Sequence, residues 1–191
     1  MAAQNIDVAL QLYEIETDIA LKYGINLEAR TIQLVGEIDA HAFMLIEQGL
    51  TFLESKSKAG VTIKINSAGG SVYDALAIVS RIRNSKCHVT TEAYGCCMSA
   101  ATLILAAGKK RRMSEIAVVM HHESAYDIGG THEQVKHIVA QAEREEKMWA
   151  NIMQKFTKTS ADIWLEQGKL GKDWFLDAQQ CLDLGIVDEI F

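Results

Sequence analysis

The sequence contains no proline among its 191 residues. Average usage of about 5% would have given roughly nine or ten prolines in a chain of this length. Chain reversals must therefore depend on glycine and on Asn, Asp and Ser, the other residue types that favour turns. Turns are accordingly expected at the glycines and at short polar clusters.

Long hydrophobic runs are missing as well. No apolar segment approaches the length of about 20 residues that a membrane-spanning helix needs. The first residues, MAAQNIDVAL, lack the basic flank and the long apolar core of a signal peptide. These absences predict a cytoplasmic protein with no membrane partner.

Excess positive charge is also absent. The formal net charge is −6 and the isoelectric point is near 5.5, which argues against a general nucleic-acid binder. The chain nevertheless contains one run of four basic residues, Lys109 to Arg112. Charge runs between periodic segments are usually solvated, so this run is interpreted as a solvated turn.

The four cysteines, Cys87, Cys96, Cys97 and Cys181, lack the regular spacing of a disulfide scaffold. Cys96 and Cys97 are adjacent and so lack the two-residue gap of metal-binding or redox pairs, and the histidines are too scattered to complete a zinc site. The cysteines are therefore predicted to be free, packed thiols in a reducing compartment. We expect neither a metal nor a cofactor.

Size and periodicity favour one α/β domain. With 191 residues, 49% of them hydrophobic, the chain suits a single core. Alternating or β-branched segments are followed by helical periodicity at intervals of a few tens of residues, which indicates mainly parallel strands. The predicted strands are 30–38, 61–65, 88–94 and 116–121, with a last one in GIVDEIF at 185–191.

Helices are predicted between these strands. A weakly amphipathic helix over 6–23 ends at Gly24, and Asp39 caps the next helix. After Gly129 and Gly130, Thr131 and Gln134 form a capping box for a long helix with a fully charged middle, EREEK. So long a helix in so small a domain is expected to project and to pack against another chain.

Two segments between a strand and a helix could hold a site, because ligands of α/β sheets gather at the carboxyl ends of strands. The first is NSAGGS at 66–71, predicted to be a loop. Its glycines allow close approach of the backbone and outward N–H groups, as an oxyanion hole requires. Alone, however, the segment is typical of a tight turn followed by Ser71 as a helix cap.

The second segment is AYGCCMSAATLILAAG at 93–108, in which Ser99 opens an apolar helix. A serine there is usually an N-cap. A nucleophile also gains from this place, because the helix N-terminus offers backbone donors to a developing oxyanion. Serine is a weak nucleophile without a base, so histidine and a carboxylate must complete the group.

The histidine candidates lie in VVMHHES at 118–124. Alternation along a strand directs His121 and His122 to opposite faces, so only one of them can meet Ser99. The carboxylate that would orient the imidazole is not fixed by spacing. The candidates are Glu123, Asp127, Asp173 and Asp177. The residues by themselves therefore reach a serine hydrolase hypothesis and no further.

Several strings, in order, resemble the ClpP family of serine peptidases. RTIQLVGEID and its helix resemble the segment before the family's NSPGG loop, and INSAGGSVYDALAIVSRI is similar to that loop and the helix after it. CCMSAATLILAAGKKR resembles the nucleophile motif, VMHHES resembles VMIHQP, and DWFLDAQQCLDLGIVDEIF resembles the acidic C-terminal motif. The likeness covers roughly residues 28–191. The compact, proline-free sequence looks more like a divergent or phage-encoded member of the family than a standard one.

The resemblance implies the fold: a ClpP/crotonase-like spiral of ββα units with a protruding handle helix. It implies a single peptidase domain over 1–191. Residues 1–27 would be a divergent helical segment, and residues from about 125 to 157 would form the handle.

It also implies the site. Ser99 would be the nucleophile and His122 the general base, because His122 falls under the family histidine when Val119 and Met120 are matched. Asp173 would be the orienting carboxylate, and the backbone N–H groups of Gly70 and Ala100 would form the oxyanion hole. The activity implied is endopeptidase cleavage through an acyl-enzyme, with no cofactor.

Finally, the resemblance implies partners. The substrates would be peptides or unfolded proteins, and the chain would form a homo-oligomer of two stacked seven-subunit rings, a tetradecamer. The family couples to an AAA+ unfoldase, but residues 1–27 do not match its short axial loops, which argues against that partner.

Two departures from the family pattern support alternatives. Ala68 and Ser124 replace family prolines, which could leave the site unassembled at rest. A catalytically silent ring or virion subunit is therefore one alternative. A crotonase-like acyl-CoA enzyme is the other, although it would not need a Ser-His-Asp set.

Overall fold

A computed structural model describes residues 2–125, 128–169 and 171–191 of the chain. Within these ranges it contains seven helices and eight strands. The helices are α1 (Ala2–Tyr23), α2 (Ala40–Lys56), α3 (Val72–Arg83), α4 (Ala100–Ala106), α5 (His132–Phe156), α6 (Ala161–Lys169) and α7 (Ala178–Asp183). The strands are β1 (Ile25–Asn26), β2 (Thr31–Ile38), β3 (Val61–Gly70), β4 (Val89–Met98), β5 (Lys110–Met113), β6 (Val118–His121), β7 (Trp174–Leu176) and β8 (Glu189–Ile190).

The strands form one mixed sheet in the order β1-β2-β3-β4-β5-β8, with β6 and β7 branching from β4. Pairing is parallel from β2 through β8, while β1 and β7 are antiparallel to their neighbours. The predicted α/β class with mainly parallel strands is therefore confirmed. Such a sheet needs apolar cover, and strand residues such as Ile32, Ile63 and Val89 are fully buried.

Strand β4 pairs with two strands along its length, which places the candidate site. Its first half, Thr90 to Ala93, pairs with β5, and its last three residues, Cys96 to Met98, pair with β6. The chain leaves β4 at Met98 and enters α4 at Ala100, so Ser99 lies beside the carboxyl end of β6. All seven residues of α4 are buried, which accounts for its unbroken apolar sequence.

The helix ends agree with their predicted caps. Asp39 accepts a hydrogen bond from the N–H of Ala42 at the start of α2. Thr131 and Gln134 form the reciprocal capping box of α5. The predicted amphipathic helix is α1, and Gly24 follows it with a φ of +67°. Of the helices in the described ranges, none is both long and apolar enough to cross a membrane.

The prediction that NSAGGS forms a loop is wrong. Strand β3 continues through these residues to Gly70, and it still pairs with β2 at Gly69 and Gly70. The strand can continue because its register with β2 shifts after Val35, which lets the glycines align with Glu37 and Ile38. Only Ser71 behaves as predicted, since its side chain accepts a hydrogen bond from the N–H of Asp74 at the start of α3.

The prediction of a solvated turn at the basic run is also wrong. Residues Lys110 to Met113 form β5, which pairs with β4 and β8. Arg111 is bound by Asp188, and Arg112 contacts both Glu92 and Glu189. Lys110 pairs with Glu189 as well, so acids from distant parts of the chain neutralise three of the four positive charges, and these three residues belong to the sheet. Lys109 alone is exposed outside the strand.

The C-terminal segment also differs from its prediction. The strand expected over 185–191 is reduced to the two residues of β8. Gly185 has a φ of +70° and ends α7, because its N–H is bound by the carbonyl of Leu182. The short helices α6 and α7 were not predicted from the sequence. All four cysteines are free, as predicted.

Candidate active site

Ser99 has an unusual backbone conformation, with φ 52° and ψ −124°. Positive φ is uncommon for a residue other than glycine, and among the described non-glycine residues only Arg30 shares it. The Ser99 N–H is held by the carbonyl of Met120 on β6, at 2.8 Å. Although Ser99 occupies the N-cap position of α4, its hydroxyl makes no capping hydrogen bond. The hydroxyl is therefore free for another partner.

That partner is His122. The Nε2 atom of His122 lies 2.8 Å from the Ser99 Oγ. His122 directly follows β6, and β6 pairs in parallel with the last residues of β4, so the two strand ends bring the side chains together. The distance suits transfer of the serine proton to a neutral imidazole.

His121 does not contact Ser99, so only one of the two histidines meets the serine, although both line the same cleft. It is buried, its ring stacks on Trp149 with centroids 4.3 Å apart, and its Nε2 lies 3.1 Å from the carbonyl oxygen of Trp164. Burial lowers the pKa of His121 from 6.5 to about 4, and the nearby His122 acts in the same direction. His121 is therefore neutral at neutral pH.

The four candidate carboxylates differ in their surroundings. Asp177 is engaged elsewhere, because its side chain accepts a hydrogen bond from the N–H of Gln180 and caps α7. Glu123 is exposed next to His122. Asp127 lies outside the described residues. Only Asp173 has a position relative to His122 that the sheet itself defines.

Asp173 immediately precedes β7, which is antiparallel to β6 with His121 opposite Trp174. Extending that register by one residue puts Asp173 opposite His122. Asp173 is nevertheless exposed, and no hydrogen bond joins it to His122 in the described part of the chain. The structure thus brings together Ser99 and His122 and leaves Asp173 as an unbound neighbour.

The glycine pair at the end of β3 lies against the nucleophile. A Cβ added to Gly69 would be 2.7 Å from the Ser99 Cβ and 3.2 Å from the Ala100 nitrogen. The Gly69 N–H is donated to the Ser67 hydroxyl. Gly70 pairs with Ile38 of β2 and has a φ of +148°.

A cleft adjoins the serine and the histidine. The space inside the cleft, together with the solvent at its open mouth, amounts to about 500 Å³. Besides Ser99 and His122, its lining comes largely from one face of α5 and one face of α6. Those residues are Glu146, Trp149 and Ala150 on α5, and Trp164, Leu165, Gly168 and Lys169 on α6.

The sequence did not predict that α5 and α6 line the cleft. Trp149 belonged to the recognised apolar stripe of the long helix, but nothing in the local pattern related that helix to Ser99. Helix α6 was not predicted at all. The available signal was the pair Trp164 and Gly168, four residues apart and hence on one face of a helix.

A model of the Clp protease family matches residues 16–191. The match contains the glycine pair, the serine, both histidines and Asp173, and it covers most of the chain. The mixed α/β architecture is consistent with the ClpP fold. The resemblance drawn from the sequence motifs is thereby confirmed. The chain belongs to the Clp protease family.

Proposed function

We propose that this protein is a serine endopeptidase that cleaves peptides or unfolded proteins through an acyl-enzyme intermediate. Ser99 is the nucleophile, and His122 is the general base that accepts its proton and later delivers it to the leaving amine. Membership of the Clp protease family implies peptidase activity in general. The serine-type mechanism and the residue roles are our proposal.

One observation carries it: the 2.8 Å separation of the Ser99 Oγ and the His122 Nε2. Two features make this contact more than an incidental surface hydrogen bond. The serine adopts a backbone conformation with positive φ, a kind of strain that persists where the surroundings enforce it and that clusters at active sites. Its hydroxyl also makes no hydrogen bond to the backbone N–H groups of the first turn of α4, as an N-cap serine would.

The oxyanion donors in this proposal are the N–H groups of Gly70 and Ala100. Ala100 is the first residue of α4, where backbone N–H groups lack intrahelical acceptors. Ser71 donates its N–H to the Ile38 carbonyl at 2.7 Å, so at this point the hydrogen bond between β3 and β2 is made by Ser71 and not by Gly70. In a parallel ladder the paired residue Gly70 then directs its own N–H to the opposite edge, where β4 and Ser99 lie.

Asp173 completes the proposed triad. Its register position opposite His122 suits an orienting carboxylate, and a change of side-chain conformation in the assembled or substrate-bound enzyme would close the contact. Hydrogen bonds of catalytic groups are often long in unliganded structures and tighten when substrate binds.

We further propose that the protein works as a homo-oligomer. The family generally forms oligomeric rings. The first turns of α5 are almost wholly exposed, and they present Ile138 and Val139, which are 38% and 44% exposed. This exposed segment, residues 131–141 of the proposed handle, would pack against a second copy in a pair of stacked seven-subunit rings. A mass of the intact assembly near that of a monomer would contradict this part of the proposal.

The unbound Asp173 favours a second candidate, a catalytically silent ring subunit. Labelling by a small fluorophosphonate, which phosphorylates activated serines, separates the two candidates. We expect stoichiometric labelling of the wild type, none in Ser99→Ala, and full labelling in the control Ser80→Ala, whose serine is exposed on α3. Absence of labelling in every assembly state would favour the silent subunit.

A further inference from the structure

The cleft beside Ser99 is acidic as well as aromatic. Glu123 and Glu146 line it, while Lys169 is the only cationic side chain among the described lining residues. Its aromatic wall consists of His121, Trp149 and Trp164, which pack against one another. Because His121 is neutral at neutral pH, it does not offset the two carboxylates.

We propose that this cleft binds the side chain preceding the scissile bond and selects lysine or arginine there, with the Glu146 carboxylate as the residue that determines specificity. This inference rests on the proposed role of Ser99 as nucleophile. It concerns the substrate class, which the hydrogen-bonded serine and histidine do not themselves define.

Position is the first argument for Glu146. It lies three residues before Trp149 and four before Ala150 on α5, so all three share the helix face that lines the cleft. Ser99 and His122 line the same cleft. A substrate bonded to Ser99 would therefore place a neighbouring side chain in the cleft that Glu146 also lines.

The lack of a charge partner is the second argument. Glu146 is half-buried, and within the described residues it has neither a hydrogen bond nor an ion pair. Burial raises the pKa of its carboxyl group, and the charges of Glu123 and Glu143 raise it further. A partly desolvated carboxylate without a partner gains from an arriving cation, which restores the electrostatic stabilisation lost with water.

The aromatic wall is the third argument. Lysine and arginine carry three- or four-carbon stems that pack well on apolar surfaces while the charged end reaches a polar group. Their cations are also attracted to indole faces. A cleft with apolar sides from Trp149 and Leu165 and a carboxylate from Glu146 matches both parts of such a side chain.

Lys169 is the natural competitor for this carboxylate. Its charge lowers the Glu146 pKa, so it lies within electrostatic range. It is exposed, however, and makes no ion pair with Glu146 in the described structure. We infer that Lys169 weakens cation binding without occupying the cleft, and that its removal strengthens the preference.

The test uses two diphenyl phosphonate probes that are identical except for a lysine-like or a leucine-like side chain next to phosphorus. The Ser99 oxygen attacks phosphorus, a P–O bond to phenoxide breaks, and the serine proton leaves with the phenol through His122. The measured quantity is the second-order rate of Ser99 modification, followed by intact mass.

In the wild type we expect the lysine probe to react faster than the leucine probe. Glu146→Gln should slow the lysine probe about tenfold and leave the leucine probe within about twofold. The matched control is Glu143→Gln, which removes the same charge from the exposed side of α5 and should change neither rate more than about twofold. Lys169→Met should accelerate the lysine probe.

The outcomes separate the two proposals. A faster leucine probe, with no effect of Glu146→Gln on either rate, overturns the cation preference and leaves the peptidase proposal intact. Reaction with neither probe nor a small fluorophosphonate contradicts the peptidase proposal. In that case ligand-observed NMR of n-butylamine and 1-butanol with Ser99→Ala protein tests whether the cleft prefers a cation. Amine-selective binding lost in Ser99→Ala/Glu146→Gln supports a cation site, and equal binding overturns it.

Discussion

Gly69 lies so close to Ser99 that a Cβ atom at position 69 would come within 2.7 Å of the Ser99 Cβ and 2.8 Å of the Met98 carbonyl oxygen. The φ of Gly69 is +105°, a region that L-residues rarely adopt. Gly69→Ala should therefore displace the serine as well as strain β3. We expect fluorophosphonate labelling to fall by at least 100-fold and the melting temperature to drop by several degrees.

The control is Gly129→Ala, because a Cβ there would meet nothing within 4 Å. It should keep the labelling rate and the melting temperature of the wild type. Labelling of Gly69→Ala at a rate within about threefold of the wild type would mean that the strand end does not position Ser99.

Asp173 lies opposite His122 in the register of β6 and β7, but in the described part of the chain no hydrogen bond joins the two. If it orients His122 in the working enzyme, Asp173→Asn should lower kcat by at least tenfold, because the amide cannot stabilise an imidazolium as a carboxylate does. KM should change little. The comparison is Asp177→Asn, in which the replacement is still a good N-cap for α7 and should leave kcat unchanged. Equal kcat values for the two variants would remove Asp173 from the mechanism and direct attention to Glu123.

Much of the site could be predicted because its signals are local. Alternation along a strand was enough to separate His121 from His122, since the period of two is fixed by backbone geometry. The caps of α2 and α5 were readable because Asp39 and Thr131 act within three residues of themselves. The strand-helix repetition likewise predicted mainly parallel strands, whose carboxyl ends lie at one edge of the sheet. It did not predict that β4 runs on to Met98 and pairs there with β6.

The rest depends on contacts between distant residues. The basic run is a strand because Asp188 and Glu189, more than 70 residues later, supply its counter-charges and its pairing partner. The cleft beside Ser99 is formed where α5 and α6 return to the sheet, and Glu146 lies in a charged run that is typical of a solvated face. No local pattern distinguishes one carboxylate of that run from its neighbours.

Arg112 gives a prediction about stability. Its guanidinium binds Glu92, whose side chain is only 8% exposed, and also Glu189. Arg112→Met should leave Glu92 partly desolvated without its cation. We expect a loss of about 2 kcal/mol in the free energy of unfolding, less than the 3–5 kcal/mol of fully buried pairs because Arg112 is itself 28% exposed.

The matched comparison for Arg112 is Lys110→Met, on the same strand. The Lys110 and Glu189 side chains are 48% and 41% exposed, so their ion pair should contribute no more than about 1 kcal/mol. Chemical denaturation at neutral pH measures both variants. A loss in Arg112→Met no larger than that in Lys110→Met would show that Glu92 does not need its partner.

His121 predicts how stability depends on pH. Burial lowers its pKa in the folded protein to about 4, whereas the unfolded chain has a value near 6.5. Above pH 6.5 the imidazole is neutral in both states. As the pH falls from 6.5 to 4 the unfolded state alone takes up a proton, so stability decreases over this window by up to about 3 kcal/mol.

His121→Phe keeps an aromatic ring against Trp149 and has no titrating group, so its free energy of unfolding should decrease less steeply as the pH is lowered. His137→Gln, at an exposed position on α5, should retain the wild-type slope. Parallel curves for the wild type and His121→Phe would mean that His121 is hydrated in solution, and the aromatic wall of the cleft would then be open to water.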